Sequence, residues 1–206
     1  EIGVRLVGSE MCIRDRGKIE PEYFCDRVTE SARLIKSVTN GNNLVIISPR
    51  RMGKTGLIQF CYDKPEIAAE YYTFFIDILH TSSLREFTYL LGREIYETLL
   101  PRSRKMADLF IQTIKSISGK FGFDPITGMP TFNVELGDID RPEYTLDEIF
   151  QYLGHADKPC IVAIDEFQQI AKYPEKNIEA QLRTHIQKLR NCNFIFAGSE
   201  RHMMQE

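Results

Sequence analysis

The stretch LVIISPRRMGKTGLI, residues 44–58, indicates the fold class of this chain. Its first four residues are wholly apolar, which is typical of a strand that is buried on both faces of a sheet. A helix is predicted to follow from Lys54 to about Tyr62. Buried strands that alternate with helices form parallel sheets with helices on both faces. We therefore expect an α/β fold around this strand.

The rest of the chain repeats this alternation. Further strands are predicted at residues 71–79, 161–164 and 194–197. Apolar residues at helical spacing predict helices at residues 28–39, 83–99, 103–117, 145–154 and 177–190. Residues 121–136 are typical of a β-hairpin. With the helix before it, the hairpin makes an insertion of about 40 residues, at about 101–141, between the second and third strands.

The turn after the first strand has the pattern of a phosphate-binding loop, or Walker A motif, because it lies between a buried strand and a helix. Gly53 lets the backbone turn closely around a phosphate. Lys54 can reach the β- and γ-phosphates of a nucleotide, and the Thr55 hydroxyl can ligate Mg²⁺. The residues predicted to contact the nucleotide are Ser48, Pro49, Arg50, Arg51, Met52, Gly53, Lys54, Thr55 and Gly56.

The loop departs from the usual pattern at its first position, where Ser48 stands in place of glycine. Serine is small, so we expect the turn to tolerate it. A chance basic turn between a strand and a helix is the alternative. Arg50 and Arg51 either touch phosphate or a neighbouring subunit, or are simply solvated.

The third strand ends in two carboxylates, Asp165 and Glu166, at the edge where parallel α/β sheets bind ligands. We predict that Asp165 holds Mg²⁺, directly or through water, and that Glu166 accepts a proton from the water attacking the γ-phosphorus. Mg²⁺ and Lys54 would neutralise charge on the phosphoryl oxygens. An ordinary solvated strand end is the alternative.

Two further strand ends carry polar residues. Ser199 follows the last strand and is our candidate for sensing the γ-phosphate or orienting the water, with simple turn chemistry as the alternative. Asp77 ends the second strand, where it either supports the metal ligands or caps a helix. We favour the cap for Asp77.

Composition excludes several classes of protein. The chain is 43% hydrophobic and 27% charged, with a formal net charge of -3, so no basic excess points to nucleic acid. No apolar run is long enough to cross a bilayer. Outside residues 1–16, the cysteines have no CxxC spacing, which indicates buried thiols in a reducing cytoplasm. We therefore expect a cytoplasmic protein without a membrane partner.

Residues 1–16 resemble the translated transposon-end adapter used to build short-read DNA libraries, most clearly in LVGSEMCIRDR at residues 6–16. We exclude them from the fold prediction, as an expression scar would be excluded. A native N-terminal tail is the alternative. Residues 17–206 are then expected to be a core whose C-terminal part is missing.

Five phrases of the sequence resemble a family of prokaryotic ATP-binding proteins, the archaeal-type ATPases, which are allied to the AAA and STAND branches of P-loop NTPases. These phrases are YFCDR (23–27), ISPRRMGKTGLI (47–58), FFIDI (74–78), PCIVAIDEFQQI (159–170) and FIFAGSERHMM (194–204). The resemblance implies a parallel sheet of order 5-1-4-3-2, ATP rather than GTP, and residues 23–27 near the adenine. It also implies a C-terminal helical lid and a winged-helix domain, which we expect to follow after residue 206.

The resemblance leaves three functions open. The first is Mg²⁺-dependent ATP hydrolysis that couples the γ-phosphate state to conformation, which we favour because Lys54, Thr55, Asp165 and Glu166 are all present. The second is a nucleotide-dependent signalling switch or scaffold with little turnover. The third is a DNA-associated ATPase that acts through the missing domain. We expect either a protein partner or self-association, and the sequence contains no signal that distinguishes the two.

Overall fold

Five parallel strands form the central sheet. The computed structural model describes residues 3–5, 27–49, 52–125 and 130–199. The described strands are, in chain order, β1 (Gly3–Arg5), β2 (Leu44–Ser48), β3 (Tyr72–Asp77), β4 (Phe121–Phe123), β5 (Pro130–Phe132), β6 (Cys160–Asp165) and β7 (Cys192–Ser199). The central sheet has the order β1-β2-β7-β6-β3, and every neighbouring pair in it is parallel.

Helices cover both faces of this sheet. The described α-helices are α1 (Val28–Thr39), α2 (Lys54–Tyr62), α3 (Pro65–Ala68), α4 (Leu84–Leu99), α5 (Arg104–Thr113), α6 (Pro142–His155) and α7 (Ile178–Lys188). Short 3₁₀ helices span Lys115–Lys120, Leu136–Asp138 and Phe167–Lys172.

The two faces of the sheet bury separate apolar clusters. Side chains of α1, α2 and α3 form one cluster, and side chains of α4 to α7 form the other. Along β6, Ile161 and Ala163 belong to the first cluster, whereas Val162 and Ile164 belong to the second. Successive side chains of a strand point to opposite faces, so one apolar run supplies both cores. The predicted α/β sandwich is confirmed.

The edge of the sheet differs from the prediction. The four strands predicted from the sequence lie in the implied relative order, β2-β7-β6-β3, but the place beside β2 is taken by β1 from residues excluded from the fold prediction. Gly3, Val4 and Arg5 pair with Val45, Ile46 and Ile47. An edge strand presents unpaired backbone donors and acceptors, and an extended segment can satisfy them whatever its side chains are. Side-chain patterns therefore could not predict this pairing.

A helix and a hairpin lie between α4 and α6. β4 and β5 pair antiparallel, with Phe121 opposite Phe132, as predicted. The turn at residues 126–129 lies outside the described residues. The second strand is shorter than the predicted 131–136, because Glu135 and Asp138 cap each other's backbone and begin a 3₁₀ turn.

The helix of this insertion also ends earlier than predicted, at Thr113 instead of residue 117. Glu148 of α6 explains the change. Its buried carboxylate accepts hydrogen bonds from the backbone amides of Lys115 and Ser116 at 3.1 Å each, and from the Ser116 hydroxyl at 2.6 Å. These bonds favour a new 3₁₀ turn, and they tie the insertion to α6.

The described cysteines are free, buried thiols, as predicted. Burial raises the pKa of Cys61 and of Cys160 to about 12, and it raises the pKa of Cys192 well above its usual value. Among the described helices, none has the length and apolar character needed to span a bilayer.

Candidate functional site

The carboxyl ends of neighbouring strands place the predicted site residues along one edge of the sheet. Ser48, at the end of β2, is the register partner of Ser199, at the end of β7. Asp165 ends β6, which lies on the other side of β7. Parallel α/β sheets bind ligands at this edge. The structure therefore brings together residues that are far apart in the chain.

The turn from β2 into α2 contains a left-handed residue. Gly53 immediately precedes α2 with φ 68° and ψ 29°, a region that glycine enters freely and other residues enter with strain. Space does not require the glycine, because a Cβ atom there would lie 4.0 Å from its nearest neighbours. The first amides of α2, from Lys54 onward, have no acceptor within the helix and favour an anion.

Lys54 brings a buried positive charge to this helix start. Its side chain is 6% exposed, and its ammonium donates to the backbone carbonyl of Ser48 at 3.4 Å. None of the ion pairs found in the described part of the chain includes Lys54. A buried charge is stable only when it is paired, so this ammonium is suited to an anionic ligand such as phosphate.

A short hydrogen bond joins the predicted phosphate-binding loop to the strand that ends in Asp165. Thr55 Oγ1 donates to Asp165 Oδ2 at 2.6 Å, although the two residues are 110 positions apart. Asp165 is 5% exposed, and its Oδ1 atom accepts the backbone amide of Glu166 at 2.9 Å. The spacing of the two sequence motifs therefore corresponds to a direct contact.

This pair of side chains fits the ligand preference of Mg²⁺. A hydroxyl and a carboxylate are hard oxygen donors, and Mg²⁺ commonly uses one or two protein ligands together with substrate phosphates and water. Within the described ranges, no group of three or more His, Cys, Asp or Glu side chains is arranged to hold a metal. A cation at this edge would therefore depend on a phosphate ligand as well as on protein.

Glu166 leaves the end of β6 in an unusual backbone conformation. Its φ of 56° and ψ of 38° are left-handed, which is uncommon for a residue other than glycine and often occurs at functional sites. The residue immediately precedes the 3₁₀ helix Phe167–Lys172. Its carboxylate accepts a hydrogen bond from Gln168 Nε2 at 2.5 Å.

Gln168 is a site residue that the sequence prediction missed. Its Nε2 atom also lies 3.4 Å from Ser199 Oγ, so one amide contacts two of the predicted residues. Ser199 itself is buried at the end of β7. The phrase DEFQQI contained the signal, but no spacing rule separates a glutamine that turns toward the site from one that turns away.

Asp77 lies at the same sheet edge with a local role. It pairs in register with Asp165, but its side chain is exposed and its Oδ1 atom accepts the backbone amide of Leu79 at 2.9 Å. The N-cap of α4 is Ser83, whose hydroxyl accepts the amide of Glu86. The helix cap favoured for Asp77 is therefore wrong. Ser83 directly precedes α4 and caps it, whereas Asp77 lies six residues earlier in the chain.

Arg27 adds a second positive charge near the loop. Its guanidinium donates to the carbonyl of Met52 and lies beside Gly53. This residue ends the segment that the family resemblance placed near the adenine. Residues 23–26 of that segment lie outside the described part of the chain.

The remaining loop residues are accessible where they are described. Pro49 is exposed, and Met52 and Gly56 are partly exposed, so each can meet a ligand. Arg50 and Arg51 lie outside the described residues.

Solved structures match the fold, whereas no protein-family model and no curated protein matches the sequence. A Walker-type ATPase of Pyrococcus abyssi is 21% identical with a TM-score of 0.50, over 90% of this chain and 48% of that one. The ORC2 protein of Aeropyrum pernix in its ADPNP–ADP complexes is 17% identical with a TM-score of 0.54, over 90% and 44%. Its ADP form is 16% identical with a TM-score of 0.52, over 91% and 45%.

These comparisons concern architecture. At these identities they show that the chain shares the α/β fold of the archaeal proteins, with a parallel sheet between two layers of helices. The chain spans slightly less than half the length of the structures that it matches.

Proposed function

We propose that this chain is the nucleotide-binding core of an AAA/STAND-like P-loop ATPase, which binds ATP with Mg²⁺ and hydrolyses it. The observation that carries the proposal is the 2.6 Å hydrogen bond between Thr55 Oγ1 and Asp165 Oδ2, next in the chain to the buried ammonium of Lys54. A cation-binding pair and a phosphate-binding charge thus lie at one helix start. The shared fold with a Walker-type ATPase and with nucleotide-bound ORC2 supports the same function.

Each residue has a defined task in this proposal. We assign the residues from Ser48 to Gly56 to phosphate binding, and Lys54 neutralises charge on the β- and γ-phosphoryl oxygens. Thr55 and Asp165 would hold Mg²⁺, which when bound supplies further positive charge to those oxygens. Glu166 accepts the proton of the attacking water, and Ser199 contacts the γ-phosphate or orients that water.

The proposal extends to a longer protein. The matched structures are about twice the length of this chain, and we infer that the core acts with a C-terminal lid and a winged-helix domain. We place that protein in the cytoplasm. Its conformation would depend on whether the γ-phosphate is present, and a protein partner or a second copy of the chain would bind one of the two conformations.

A second candidate function uses the same site. The Thr55–Asp165 pair and the buried ammonium of Lys54 can bind Mg²⁺–ATP without Glu166, so the same geometry also suits a nucleotide-dependent switch with slow turnover. The wild-type rate and its dependence on Glu166 distinguish the two functions, because a switch does not require proton transfer to Glu166.

Substitution of Glu166 tests the proposal. Glu166→Gln keeps the shape of the side chain and removes its basicity, so we expect the Mg²⁺–ATP Kd to change by less than about threefold. We expect kcat to fall by on the order of 100-fold, the usual contribution of a general base. Phosphate release under single-turnover and steady-state conditions measures the change. Wild-type hydrolysis that is unaffected by Glu166→Gln would contradict the assigned role.

A further inference from the structure

The side-chain amide of Gln168 joins two site residues that belong to different strands. Its Nε2 atom lies 2.5 Å from Glu166 Oε2 and 3.4 Å from Ser199 Oγ. Glu166 follows β6, and Ser199 ends β7. Among the described residues, no other side chain forms hydrogen bonds with both Glu166 and Ser199.

Chemistry fixes the orientation of this amide. An ionised carboxylate only accepts hydrogen bonds, so the NH₂ group of Gln168 must be the end that faces Glu166. The same NH₂ group carries a second proton, which is available to the hydroxyl oxygen of Ser199. The reversed amide would place two acceptors against each other, and the hydrogen-bond network therefore excludes it.

The other end of the amide is not satisfied by the described protein. Gln168 Oε1 is buried and has no hydrogen-bond partner among the residues that the structure describes. A buried polar atom in that state destabilises the fold. An apolar side chain of the same shape would avoid the penalty, so stability does not explain the glutamine.

We propose that Gln168 is a positioning residue that couples Ser199 to the orientation of the Glu166 carboxylate. The inference rests on the proposed function and names how the same site is regulated. When a γ-phosphate engages Ser199, the shared amide transmits the change to the carboxylate that receives the proton of the attacking water. Gln168 itself takes no part in proton transfer, because its amide only donates hydrogen bonds to Glu166 and Ser199.

The next residue provides a matched control. Gln169 belongs to the same 3₁₀ helix, but its Nε2 atom donates to the Thr81 carbonyl and its Oε1 atom accepts from Lys172, both at 2.9 Å. Both ends of its amide are therefore satisfied away from Glu166 and Ser199. The two glutamines are adjacent residues of the same type in the same 3₁₀ helix, and they differ in the groups that their amides contact.

The test compares Gln168→Met, Gln168→Glu and Gln169→Met in the 206-residue chain, with Mg²⁺–ATP as the probe. Methionine keeps the length of the side chain and cannot donate to Glu166, whereas glutamate keeps the shape and brings a second carboxylate against Glu166. We expect both Gln168 variants to lower kcat by roughly tenfold or more, because small misplacement of a reacting group slows chemistry strongly. We expect KM for ATP to remain near the wild-type value, and we expect the unfolding midpoint of Gln168→Met to stay at or above that of the wild type, because methionine leaves no unpaired oxygen.

The Gln169 variant sets the comparison. Gln169→Met should leave kcat within about twofold of the wild type, even if its unfolding midpoint falls, because its bonds are structural. A double-mutant cycle with Ser199→Ala adds a direct test of coupling. If the amide connects the two residues, the double variant loses less activity than the product of the two single losses.

The outcomes separate this inference from the proposed function. Glu166-dependent hydrolysis in the wild type, together with wild-type kcat in both Gln168 variants, overturns the inference and leaves the ATPase proposal standing. Equal losses of kcat in the Gln168 and Gln169 variants also overturn it, because they indicate a structural effect of the 3₁₀ helix. A wild-type chain that binds ATP without hydrolysing it overturns both.

Discussion

At the scale of single residues, Gly53 and Gly41 share a backbone conformation and differ in location. Their φ angles are 68° and 79°, and an added Cβ would meet no atom closer than 4 Å at either position. Gly53 precedes the helix that carries Lys54, whereas Gly41 lies in the turn after α1. Alanine at either position is therefore strained by its backbone conformation and not by a clash.

This pair predicts a separation of stability from binding. Gly53→Ala and Gly41→Ala should each lower the free energy of unfolding by roughly 1 kcal/mol, the strain of a left-handed alanine. Only Gly53→Ala should also weaken Mg²⁺–ATP binding, because it alters the backbone that precedes the phosphate-binding amides. Urea denaturation and binding calorimetry measure the two effects. Equal loss of binding in both variants would show that the loss follows from general destabilisation.

Some residues of the candidate site could be predicted from the sequence, and others could not. Lys54, Thr55 and Asp165 follow from motifs whose spacing implies a common edge, and the structure places Thr55 against Asp165. Gln168 could not be predicted, because its role depends on the left-handed turn at Glu166 and on side-chain rotation. The cap expected at Asp77 failed for a similar reason, since Ser83 lies nearer to the helix start.

At the scale of secondary-structure elements, one side chain of α6 anchors the 3₁₀ turn that joins the inserted helix to the hairpin. Glu148 is buried and accepts three hydrogen bonds from Lys115 and Ser116. Aromatic contacts of Tyr96 with Phe121 and Phe132 hold the hairpin against α4. The insertion is therefore fixed by both polar and apolar contacts.

Removal of this anchor should destabilise the fold without affecting nucleotide binding. Glu148→Ala removes the charged acceptor of two backbone amides and of the Ser116 hydroxyl, so we expect a loss of about 2 to 3 kcal/mol in the free energy of unfolding. Glu143→Ala, an exposed position on the same helix, is the control and should change little. Chemical denaturation provides the comparison. An unchanged stability in Glu148→Ala would contradict the anchoring role.

Helix and strand boundaries were predictable where patterns are strong. α1 and α2 begin and end at the predicted residues, because apolar periodicity and the Gly53–Lys54 junction define them. The helix before the hairpin ended early, since the tertiary contacts of Glu148 favoured a 3₁₀ turn. β1 was missed because it lies in the excluded residues 1–16, and because backbone pairing at a sheet edge needs no particular side-chain pattern.

At the scale of the whole molecule, the sheet separates two apolar cores and leaves one edge for the polar site. Alternating apolar runs and amphipathic helices made this architecture predictable, and the matched archaeal structures share it. The same division explains how a buried ammonium, a carboxylate and a hydroxyl can meet outside both cores. The fold therefore positions Lys54, Thr55 and Asp165 at this edge of the sheet.

The measurement that tests the account most directly is calorimetric titration of the chain with Mg²⁺–ATP, with Lys54→Met as the site variant. Methionine keeps the buried volume and removes the charge, and Lys36→Met, on the exposed surface of α1, is the control. We predict saturable binding in the wild type and the control, and affinity weakened by roughly 10- to 100-fold in Lys54→Met, as expected when a charged hydrogen-bond donor is lost. Equal affinity in Lys54→Met and the wild type, or no binding by the folded wild type, would contradict the assignment of this site to ATP.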